Sequence, residues 1–420
     1  MSKKDFKVAI VGAGVCGVAC AIMLAQQGVD VEIFESTSRF GEIGAGIGLG
    51  PNSIRILKDL GVFDDVFKQS GEEDLNMVAY RYISGMEGHE LFYDYPLLEE
   101  QDRGLGIARS SLLDGLVKHI DPSLVHFNKR CTDVTQSPDN VGRSILHFQD
   151  GSHAEADLVI GADGIKSKVR SVAFGSTSNA TFSNTVAYRG LVSYDKLKDA
   201  GIGTDLSGGI VCFIGKDKHI ITYPIRGGKV INVVAFVTVG EVLKGEALPR
   251  SSWVVPATTK ELSTDYEGWG RDVSILISQL SDVNKWSIHV IHPPMKSYVH
   301  GRTALIGDAA HAMFTHLGAG AGQGLEDGYL LARLLSHPAT NASNLTAVLQ
   351  TYDEIRRPRA QDVWERSYNS GEATEGRGPH GYSPEGIRMD VADMFSPVWH
   401  HDLSEDIDIA KRQLHDRGAF

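Results

Sequence analysis

The glycine triplet Gly12, Gly14 and Gly17 constrains the fold of this 420-residue chain more than any other feature. It lies between the β-branched stretch 7–11 and a run of small, helix-compatible residues over 15–27. A GxGxxG turn allows a tight bend, close approach of the backbone to a pyrophosphate, and close packing of helix on strand. Residues 29–34 are typical of a second strand, so the sequence predicts a βαβ unit of a parallel sheet.

Glu35 adds a second element to this pattern, because it follows Gly17 by 18 residues at the predicted end of the second strand. A carboxylate there accepts hydrogen bonds from a ribose diol and disfavours a 2′-phosphate. The N-terminus of the intervening helix offers free N–H groups and partial positive charge to phosphates. The sequence therefore predicts a site for FAD or NAD rather than NADP. The alternative is a glycine-rich turn that binds nothing.

The amino-acid composition of the chain bears on which partners it binds and in which compartment it works. The 41 basic and 53 acidic residues give a net charge of −12, which argues against nucleic acid because duplex binding needs clustered Lys and Arg. Four cysteines are too few for a disulfide framework, so we expect a reducing, cytoplasmic location. Cys16 and Cys20 lie on the predicted first helix, where we interpret them as buried thiols rather than metal ligands.

Residues 8–25 contain no charge and follow Lys3, Lys4 and Lys7. A hydropathy window would flag this stretch as a signal peptide or a membrane span. The three glycines inside it favour a buried parallel strand followed by a buried helix, which are also apolar on all sides. We therefore expect no membrane span.

The pattern changes along the chain from βαβ to short alternating strands, which predict a mainly antiparallel second domain. We expect an α/β protein with a Rossmann-type nucleotide-binding domain, an inserted antiparallel substrate domain and a C-terminal helical region. The Gly-, Pro- and Ser-rich span 371–386 predicts a loop. The predicted nucleotide-binding domain comprises residues 1–76, 104–180 and 285–360, the substrate domain residues 77–103 and 181–284, and the helical region residues 361–420.

Two further predicted strands are each followed by an aspartate in a turn. Asp163 follows residues 158–160 and Asp308 follows residues 303–306. Either aspartate is placed to cap a helix, and for Asp163 the residues alone favour capping. Asp308 is also suited to hold a polyol or ribose hydroxyl. Residues 317–324, with glycines at alternate positions, lead into a long helix, and their N–H groups suit a negative charge such as that of a reduced flavin.

Three motifs follow one another along the chain: GxGxxG with Glu35, GADG at residues 161–164, and GDAAHAM at residues 307–313 ahead of GAGAGQGLED. In this order they resemble the group A FAD-dependent aromatic hydroxylases, close to salicylate hydroxylase and its fungal relatives. The resemblance covers about residues 7–360 and implies the hydroxybenzoate-hydroxylase type of FAD-binding fold. It also implies that NADH or NADPH docks transiently as reductant, which agrees with the lack of a second GxGxxG motif. At Thr315 the family usually has proline, and at Leu317 salicylate hydroxylases often have glutamine.

The resemblance also implies roles for individual residues. Those expected to contact FAD are Gly12, Gly14, Gly17 and Glu35 at the ADP half, Gly48 in a loop near the flavin, Arg109, Asp163 in a motif that also serves the nicotinamide, Asp308 at the ribityl oxygens, and Gly320 and Ala321 against the flavin ring. No residue is expected to bind a metal.

In that family a C4a-hydroperoxyflavin transfers one oxygen atom to an electron-rich ring, so the protein must bind or form a phenolate. The resemblance places His219 and Tyr223 on a substrate-domain strand, where a spacing of four gives both the same face. Their alternatives are a strand-edge surface histidine and a core tyrosine. His316 is a candidate base or phenolate partner. Arg189 is a candidate partner for a carboxylate or phenolate, although a lone arginine is often solvated.

We therefore expect an NAD(P)H-dependent FAD monooxygenase of a small phenolic acid, in which salicylate, O2 and NADH give catechol and CO2. One alternative is a hydroxylase of another phenol, such as a hydroxybenzoate or a polyketide aromatic, without decarboxylation. A flavin reductase or oxidase that transfers no oxygen is a second alternative, and a redox-sensing flavoprotein without enzymatic activity is a third. We expect a monomer or a homodimer.

Overall fold

The computed structural model describes residues 4–41, 46–77, 80–96, 99–140, 142–175, 180–244 and 253–420. The strands within these ranges are β1 (Lys7–Val11), β2 (Asp30–Phe34), β3 (Gly46–Leu49), β4 (Tyr80–Ser84), β5 (Leu91–Tyr95), β6 (Leu105–Ala108), β7 (Val125–His126), β8 (Cys131–Gln136), β9 (Ser144–Phe148), β10 (His153–Ala156), β11 (Leu158–Gly161), β12 (Ala180–Ser193), β13 (Ile210–Gly215), β14 (Lys218–Ile225), β15 (Val230–Thr238), β16 (Val254–Pro256), β17 (Ser281–Ile291), β18 (Val299–His300) and β19 (Thr303–Leu305).

The helices connect and cover these strands. They are α1 (Val15–Gln26), α2 (Pro51–Asp59), α3 (Phe63–Ser70), α4 (Arg109–Leu116), α5 (Lys168–Phe174), α6 (Tyr194–Asp199), α7 (Thr259–Asp265), α8 (Arg271–Ser278), α9 (Asp308–His311), α10 (Gly320–Ser336), α11 (Leu345–Thr374), α12 (Pro384–Val391), α13 (Ser396–Trp399) and α14 (Leu403–Asp416), with short 3₁₀ turns at Glu100–Asp102, Val117–His119 and Pro122–Leu124.

A six-stranded sheet in the order β18-β19-β11-β1-β2-β7 carries the glycine-rich turn. Strand β1 pairs in parallel with β2 and with β11, so the predicted βαβ unit is confirmed. The side chains of residues 8–11 are almost completely buried, because both faces of the parallel sheet are covered by other elements of the chain. The uncharged stretch forms this strand and α1. Within the described residues, no helix is long and apolar enough to cross a membrane.

An eight-stranded sheet in the order β16-β17-β12-β15-β14-β13-β4-β5 forms the second layer of the molecule. Its strands pair in antiparallel fashion except β13 and β4, which are parallel. The predicted mixed fold, an α/β nucleotide-binding layer with an inserted, mainly antiparallel sheet and C-terminal helices, is confirmed. Strand β17 and helix α11 run through the predicted domain boundaries at 284/285 and 360/361.

The loop predicted for residues 371–386 is wrong at both ends. Helix α11 continues to Thr374, and α12 begins at Pro384 after an N-cap at Ser383, whose hydroxyl accepts a hydrogen bond from the Gly386 N–H. Gly371 lies inside α11 and leaves room for the His316 ring. A Cβ at this position would lie 2.5 Å from Cδ2 of that ring. Only residues 375–383 connect the two helices.

Helices α1 and α10 approach each other through glycines and small side chains. A Cβ at Gly324 would lie 2.3 Å from the Cys16 sulfur, and one at Gly328 would lie 3.2 Å from the Cys20 Cβ. Cys20 is fully buried, and burial raises the pKa of its thiol to about 12. Both cysteines therefore act as small packing groups between two helices whose N-termini face the same side.

A buried arginine joins α10 to α11. Arg356 is completely buried and places its guanidinium 2.8 Å from a Glu326 oxygen and 2.9 Å from an Asp327 oxygen. Asp327 also accepts hydrogen bonds from the Gly307 N–H at 2.9 Å and from His311. Burial alone would raise the pKa of Asp327, but His311 and Arg356 hold it below its ordinary value. The cluster therefore ties the turn before α9 to the two long helices.

We expect Arg356→Ala to lower the free energy of unfolding by about 3–5 kcal/mol, because it leaves two carboxylates buried without their counter-charge. Arg357→Ala is the matched control, since Arg357 pairs with Asp353 at 3.4 Å nearer the surface and should cost about 1 kcal/mol or less. Urea unfolding followed by tryptophan fluorescence measures both. Equal losses in the two variants would contradict the assignment.

Candidate active site

A cavity of about 1160 Å³ lies between the two large sheets. It exceeds the roughly 300–1,000 Å³ of an ordinary small-molecule pocket, which suits an extended ligand together with a second molecule. Its lining includes nine of the ten residues expected to bind the cofactor, namely Gly12, Gly14, Glu35, Gly48, Arg109, Asp163, Asp308, Gly320 and Ala321. The tenth, Gly17, lies behind the turn, where a Cβ would come 2.1 Å from the Gly12 carbonyl oxygen.

The glycine turn and Glu35 form one end of the cavity. Gly12 has a φ of +107°, and a Cβ there would lie 2.4 Å from the Ala162 carbonyl oxygen, so only glycine fits. Glu35 accepts hydrogen bonds from the N–H groups of Ala13 and Thr37, both at 2.8 Å. Burial opposes ionisation, but these bonds hold the pKa of Glu35 below its ordinary value. A fixed anion therefore stands where a ribose diol would bind.

Two helix N-termini point into the same cavity. The first residues of α1 and α10 line it, neither helix has a side-chain cap, and neither carries an acidic residue in its first turn. Their N–H groups and partial positive charges are thus available to a ligand. One end suits a pyrophosphate and the other a negative charge on an extended ring system, so the residues present fit FAD.

The two aspartates differ in what they bind within the protein. Asp163 accepts hydrogen bonds from the Lys168 and Val169 N–H groups at 2.6 and 3.2 Å, so it satisfies donors in the first turn of α5, but the N-cap residue of this helix is Ser167. Asp308 begins α9 without acting as a side-chain cap and lies exposed in the cavity wall. Its position leaves the carboxylate available for hydroxyl groups of a ligand.

The substrate-domain sheet supplies the other end of the cavity. Tyr223 from β14 and Arg189 from β12 both line it, and the Tyr223 hydroxyl is 2.8 Å from the point where a Gly46 Cβ would lie. Burial raises the pKa of Tyr223 to about 12, although Arg189 opposes the shift. The Arg189 guanidinium lies 5.2 Å from the centre of the Trp286 ring, and its buried Nε has no hydrogen-bond partner in the part of the chain that the structure describes.

His316 lies in the loop between α9 and α10 and lines the cavity. Its ring packs against Phe236, Phe314 and the backbone of Gly371. Burial, with a smaller contribution from the neighbouring His219, lowers the pKa of His316 to about 3. The imidazole is therefore neutral near pH 7, and one ring nitrogen can accept a hydrogen bond.

His219 does not line the cavity, although it lies on the same strand as Tyr223. It is completely buried behind Phe236, on which its ring stacks at 4.4 Å, and it forms a hydrogen bond with Glu375 at 3.0 Å. The structure therefore brings Tyr223, Arg189 and His316 together at the cavity and leaves His219 one layer behind. Sequence reasoning missed Glu375 and Trp286, because no motif marks either residue.

We expect Gly324→Ala to lower FAD retention and to cost about 1–3 kcal/mol of unfolding free energy, because the new methyl group meets the Cys16 sulfur and separates α1 from α10. Cys16→Ala in the same chain should restore part of both. Gly41→Ala is the control, because none of the described residues comes within 4 Å of its Cβ position. Flavin absorbance after gel filtration and thermal unfolding report the effects. Full FAD retention in the single variant would count against the packing argument.

Comparison with known proteins places this geometry in a family. A family model described as FAD binding domain matches residues 5–367. Salicylate hydroxylase of Pseudomonas putida is 36% identical over 423 residues, covering 98% of this chain and 96% of the relative. The FAD-dependent monooxygenase pigN of Monascus ruber is 35% identical, covering 95% and 94%. A solved salicylate hydroxylase substrate complex has a TM-score of 0.87 at 33% identity, covering 97% of this chain and 98% of that one. This chain therefore belongs to the FAD binding domain family and is a flavoprotein monooxygenase.

Proposed function

We propose that this chain hydroxylates salicylate at the carbon that bears the carboxylate, consuming NADH and O2 and producing catechol and CO2. The observation that carries the proposal is the Arg189 guanidinium in the cavity wall. Within the described residues its buried Nε has no hydrogen-bond partner and no carboxylate contributes to its pKa, which burial lowers. A desolvated cation of this kind favours an anionic ligand. The relatives named salicylate hydroxylase support the same substrate.

The side chains at this end of the cavity suit a phenol with an adjacent carboxylate. Arg189 binds the carboxylate in two hydrogen bonds and fixes the orientation of the ring. His316, neutral near pH 7, accepts a hydrogen bond from the phenol O–H and takes its proton only in passing, because a pKa of about 3 does not hold the proton there. Tyr223 stays protonated because its pKa is about 12, and it donates a hydrogen bond to the phenolate that forms.

When bound, FAD takes electrons from NADH and, with O2, supplies the oxygen atom that is transferred. The protein makes the ring a strong electron donor, since a phenolate donates far more strongly than a phenol. Trp286 and Phe236 give this end of the cavity an aromatic lining. Oxygen transfer to the carbon that bears the carboxylate then releases CO2 and leaves catechol.

One observation favours a second candidate, the hydroxylation of another small phenol without loss of CO2. Thr315 lines the cavity where the family usually has proline, and its buried hydroxyl has no hydrogen-bond partner among the described residues. A free hydroxyl there suits a further polar substituent on the substrate ring. Such a substrate would also satisfy Arg189 if it carried a carboxylate.

The test is NADH oxidation by the FAD-bound protein in the presence of salicylate, 3-hydroxybenzoate or 4-hydroxybenzoate. Carboxyl-labelled salicylate should release labelled CO2 in a one-to-one ratio with catechol and with NADH. Product without CO2 from another phenol would select the second candidate. NADH use that yields peroxide alone with every phenol would refute both candidates.

We expect Arg189→Met to raise KM for salicylate about 10- to 100-fold, because a charge-assisted pair with the carboxylate is lost. FAD content should stay unchanged, since methionine preserves the packing on Trp286. A phenol without a carboxylate is the control substrate, and its KM should not rise in the variant. Equal losses for both substrates would show that Arg189 does not recognise the carboxylate.

We expect His316→Ala and Tyr223→Phe to lower the yield of product per NADH while bound FAD is retained, because the phenolate is no longer formed or held. Catechol and peroxide are measured against NADH consumed. Thr222→Val, on the opposite face of β14 from Tyr223, is the control, because the Thr222 hydroxyl bonds only the Val211 carbonyl among the described residues. Unchanged coupling in a variant would remove that residue from the mechanism.

The remaining expectations complete the proposal. We infer a cytoplasmic location, supported by four cysteines that form no disulfide bond in the described part of the chain. The transient reductant is NADH, and the working unit is a monomer or a homodimer.

A further inference from the structure

The side of the cavity that the eight-stranded sheet forms, here called the floor, crosses several neighbouring strands. Arg189 on β12 pairs with Val234 on β15, and Val234 pairs with Ile221 on β14. All three residues line the cavity. Ile210 on β13 pairs with Tyr80 on β4, and both line the same cavity. The floor therefore runs from Arg189 to Tyr80 across the five neighbouring strands β12, β15, β14, β13 and β4.

This floor is longer than a single aromatic ring needs. Neighbouring strands lie about 4.8 Å apart, so the four steps from β12 to β4 amount to about 19 Å. A benzene ring with one carboxylate spans less than half of that length. When the carboxylate of salicylate binds Arg189, its ring extends over the floor as far as β14. The part of the floor that β13 and β4 form stays uncovered.

The uncovered part of the floor ends at aromatic side chains of the C-terminal region. The Phe395 ring lies 5.0 Å from the Tyr80 ring and stacks on the Trp399 ring at 4.6 Å, measured between centroids. Phe395 and Trp399 are buried and line the cavity. Together with Ile210 and Tyr80 they form what we call the far lobe. None of these four side chains is charged near pH 7, since burial holds the pKa of Tyr80 well above its ordinary value.

The residues suited to FAD lie on the other side of the cavity. Asp308 and Gly320 belong to α9 and α10, which follow the six-stranded sheet, whereas Ile210 and Tyr80 belong to the floor. Gly50, just before α2, closes the far lobe on the cofactor side, because a Cβ there would lie 3.0 Å from Nε1 of Trp399. A cofactor held by α9 and α10 therefore leaves the floor to the substrate.

We propose that the substrates of this chain are salicylates that carry an apolar substituent at C4, opposite the carboxylate, and that the far lobe binds this substituent. The inference rests on the proposed function and narrows its substrate class. With the carboxylate on Arg189, the ring carbon that points along the floor toward Tyr80 is C4. The chemistry at C1 is unchanged: one oxygen atom enters there, CO2 leaves, and the product is a 4-alkylcatechol.

The far lobe favours an alkyl chain over a polar group. Each methylene that leaves water for an apolar environment contributes to binding. A charged substituent would lose its hydration without meeting an opposite charge on Ile210, Tyr80, Phe395 or Trp399. Unsubstituted salicylate satisfies Arg189 but leaves the apolar surface of the far lobe without a partner.

The test compares the binding of isomers to the FAD-containing protein. The ligands are salicylate, 4-butylsalicylate and 6-butylsalicylate, and the Kd of each is measured from the change in flavin absorbance on titration. The two butyl isomers have the same composition and nearly the same apolar surface, but in the second the chain lies next to the carboxylate. A difference between them therefore reports the direction of the chain rather than its greasiness.

We expect 4-butylsalicylate to bind about 10- to 100-fold more tightly than salicylate, because the chain is buried in the far lobe. For 6-butylsalicylate we expect no such gain. Equal Kd values for the two butyl isomers in the unaltered protein would overturn the inference.

Variants of β13 test the location of the chain. Ile210→Phe narrows the far lobe and should raise the Kd of 4-butylsalicylate about tenfold, with little change for salicylate. Val211→Ile is the matched control, because Val211 lies on the opposite face of β13 within a different apolar cluster. Phe395→Ala removes one wall of the lobe and serves if Ile210→Phe does not fold. Equal losses for both ligands, or the same loss in Val211→Ile, would refute the role of the far lobe.

The same titrations separate this inference from the proposed function. If none of the three ligands perturbs the flavin spectrum or yields a catechol, the proposed function fails and this inference fails with it. If salicylate binds and gives catechol and CO2 but 4-butylsalicylate binds no more tightly, only the inference about the far lobe is refuted.

Discussion

The ion-pair cluster around Arg356 is the interaction on which the cofactor side of the molecule depends. One buried guanidinium bonds Glu326 and Asp327 on α10, and Asp327 in turn bonds the Gly307 N–H, next to Asp308 in the cavity wall. Glu326 also accepts a hydrogen bond from Asn52 of α2. Buried ion pairs of this kind rarely add stability over apolar packing, but they specify one arrangement, because every alternative leaves a charge unpaired. Here the cluster specifies the positions of the cavity-wall residues near Asp308 and the start of α10, where the flavin is expected to bind.

A second constraint, the close contact of α1 and α10, explains why two unrelated glycine motifs serve one ligand. Gly324 and Gly328 lack side chains at the places where Cys16 and Cys20 lie, so the axes of the helices come together at their N-terminal ends. Each N-terminus lacks an acidic residue and a side-chain cap. The partial positive charges of two adjacent uncapped N-termini repel each other, and their N–H groups lack side-chain acceptors. A ligand with distributed negative charge that bridges the two ends would remove both disadvantages.

The parts of the structure that the sequence predicted are those in which a local pattern has one physical solution. Gly12, with its positive φ, and Glu35, bonded to the neighbouring turn, belong to a motif whose spacing sets its geometry, so the βαβ unit and the cofactor were predictable. His219 was placed on the correct face of β14, but the depth of that face was not visible, because it depends on Phe236 from another strand. Glu375 lies in a segment that its glycines and serines marked as a loop. Gly371 there is required by the ring of His316, 55 residues earlier in the chain, and no local pattern shows such a contact.

The charged group on the substrate side differs from those around Arg356 in the partners it has. Around Arg356 each buried charge has a partner, whereas the Arg189 guanidinium faces the cavity with the Trp286 ring as its neighbour. An arginine in this state weakens the folded protein, since its desolvation is not repaid. Such a desolvation cost is tolerated at a binding site where the ligand supplies the missing partner. When a carboxylate enters, its pairing with the guanidinium contributes to binding and orients the ligand. His316 lines the same cavity and is neutral near pH 7, so one of its ring nitrogens can accept a hydrogen bond. A ligand that carries both a carboxylate and a hydroxyl would supply partners for Arg189 and for His316, and this is the physical ground on which we propose an ortho-hydroxybenzoate as the substrate.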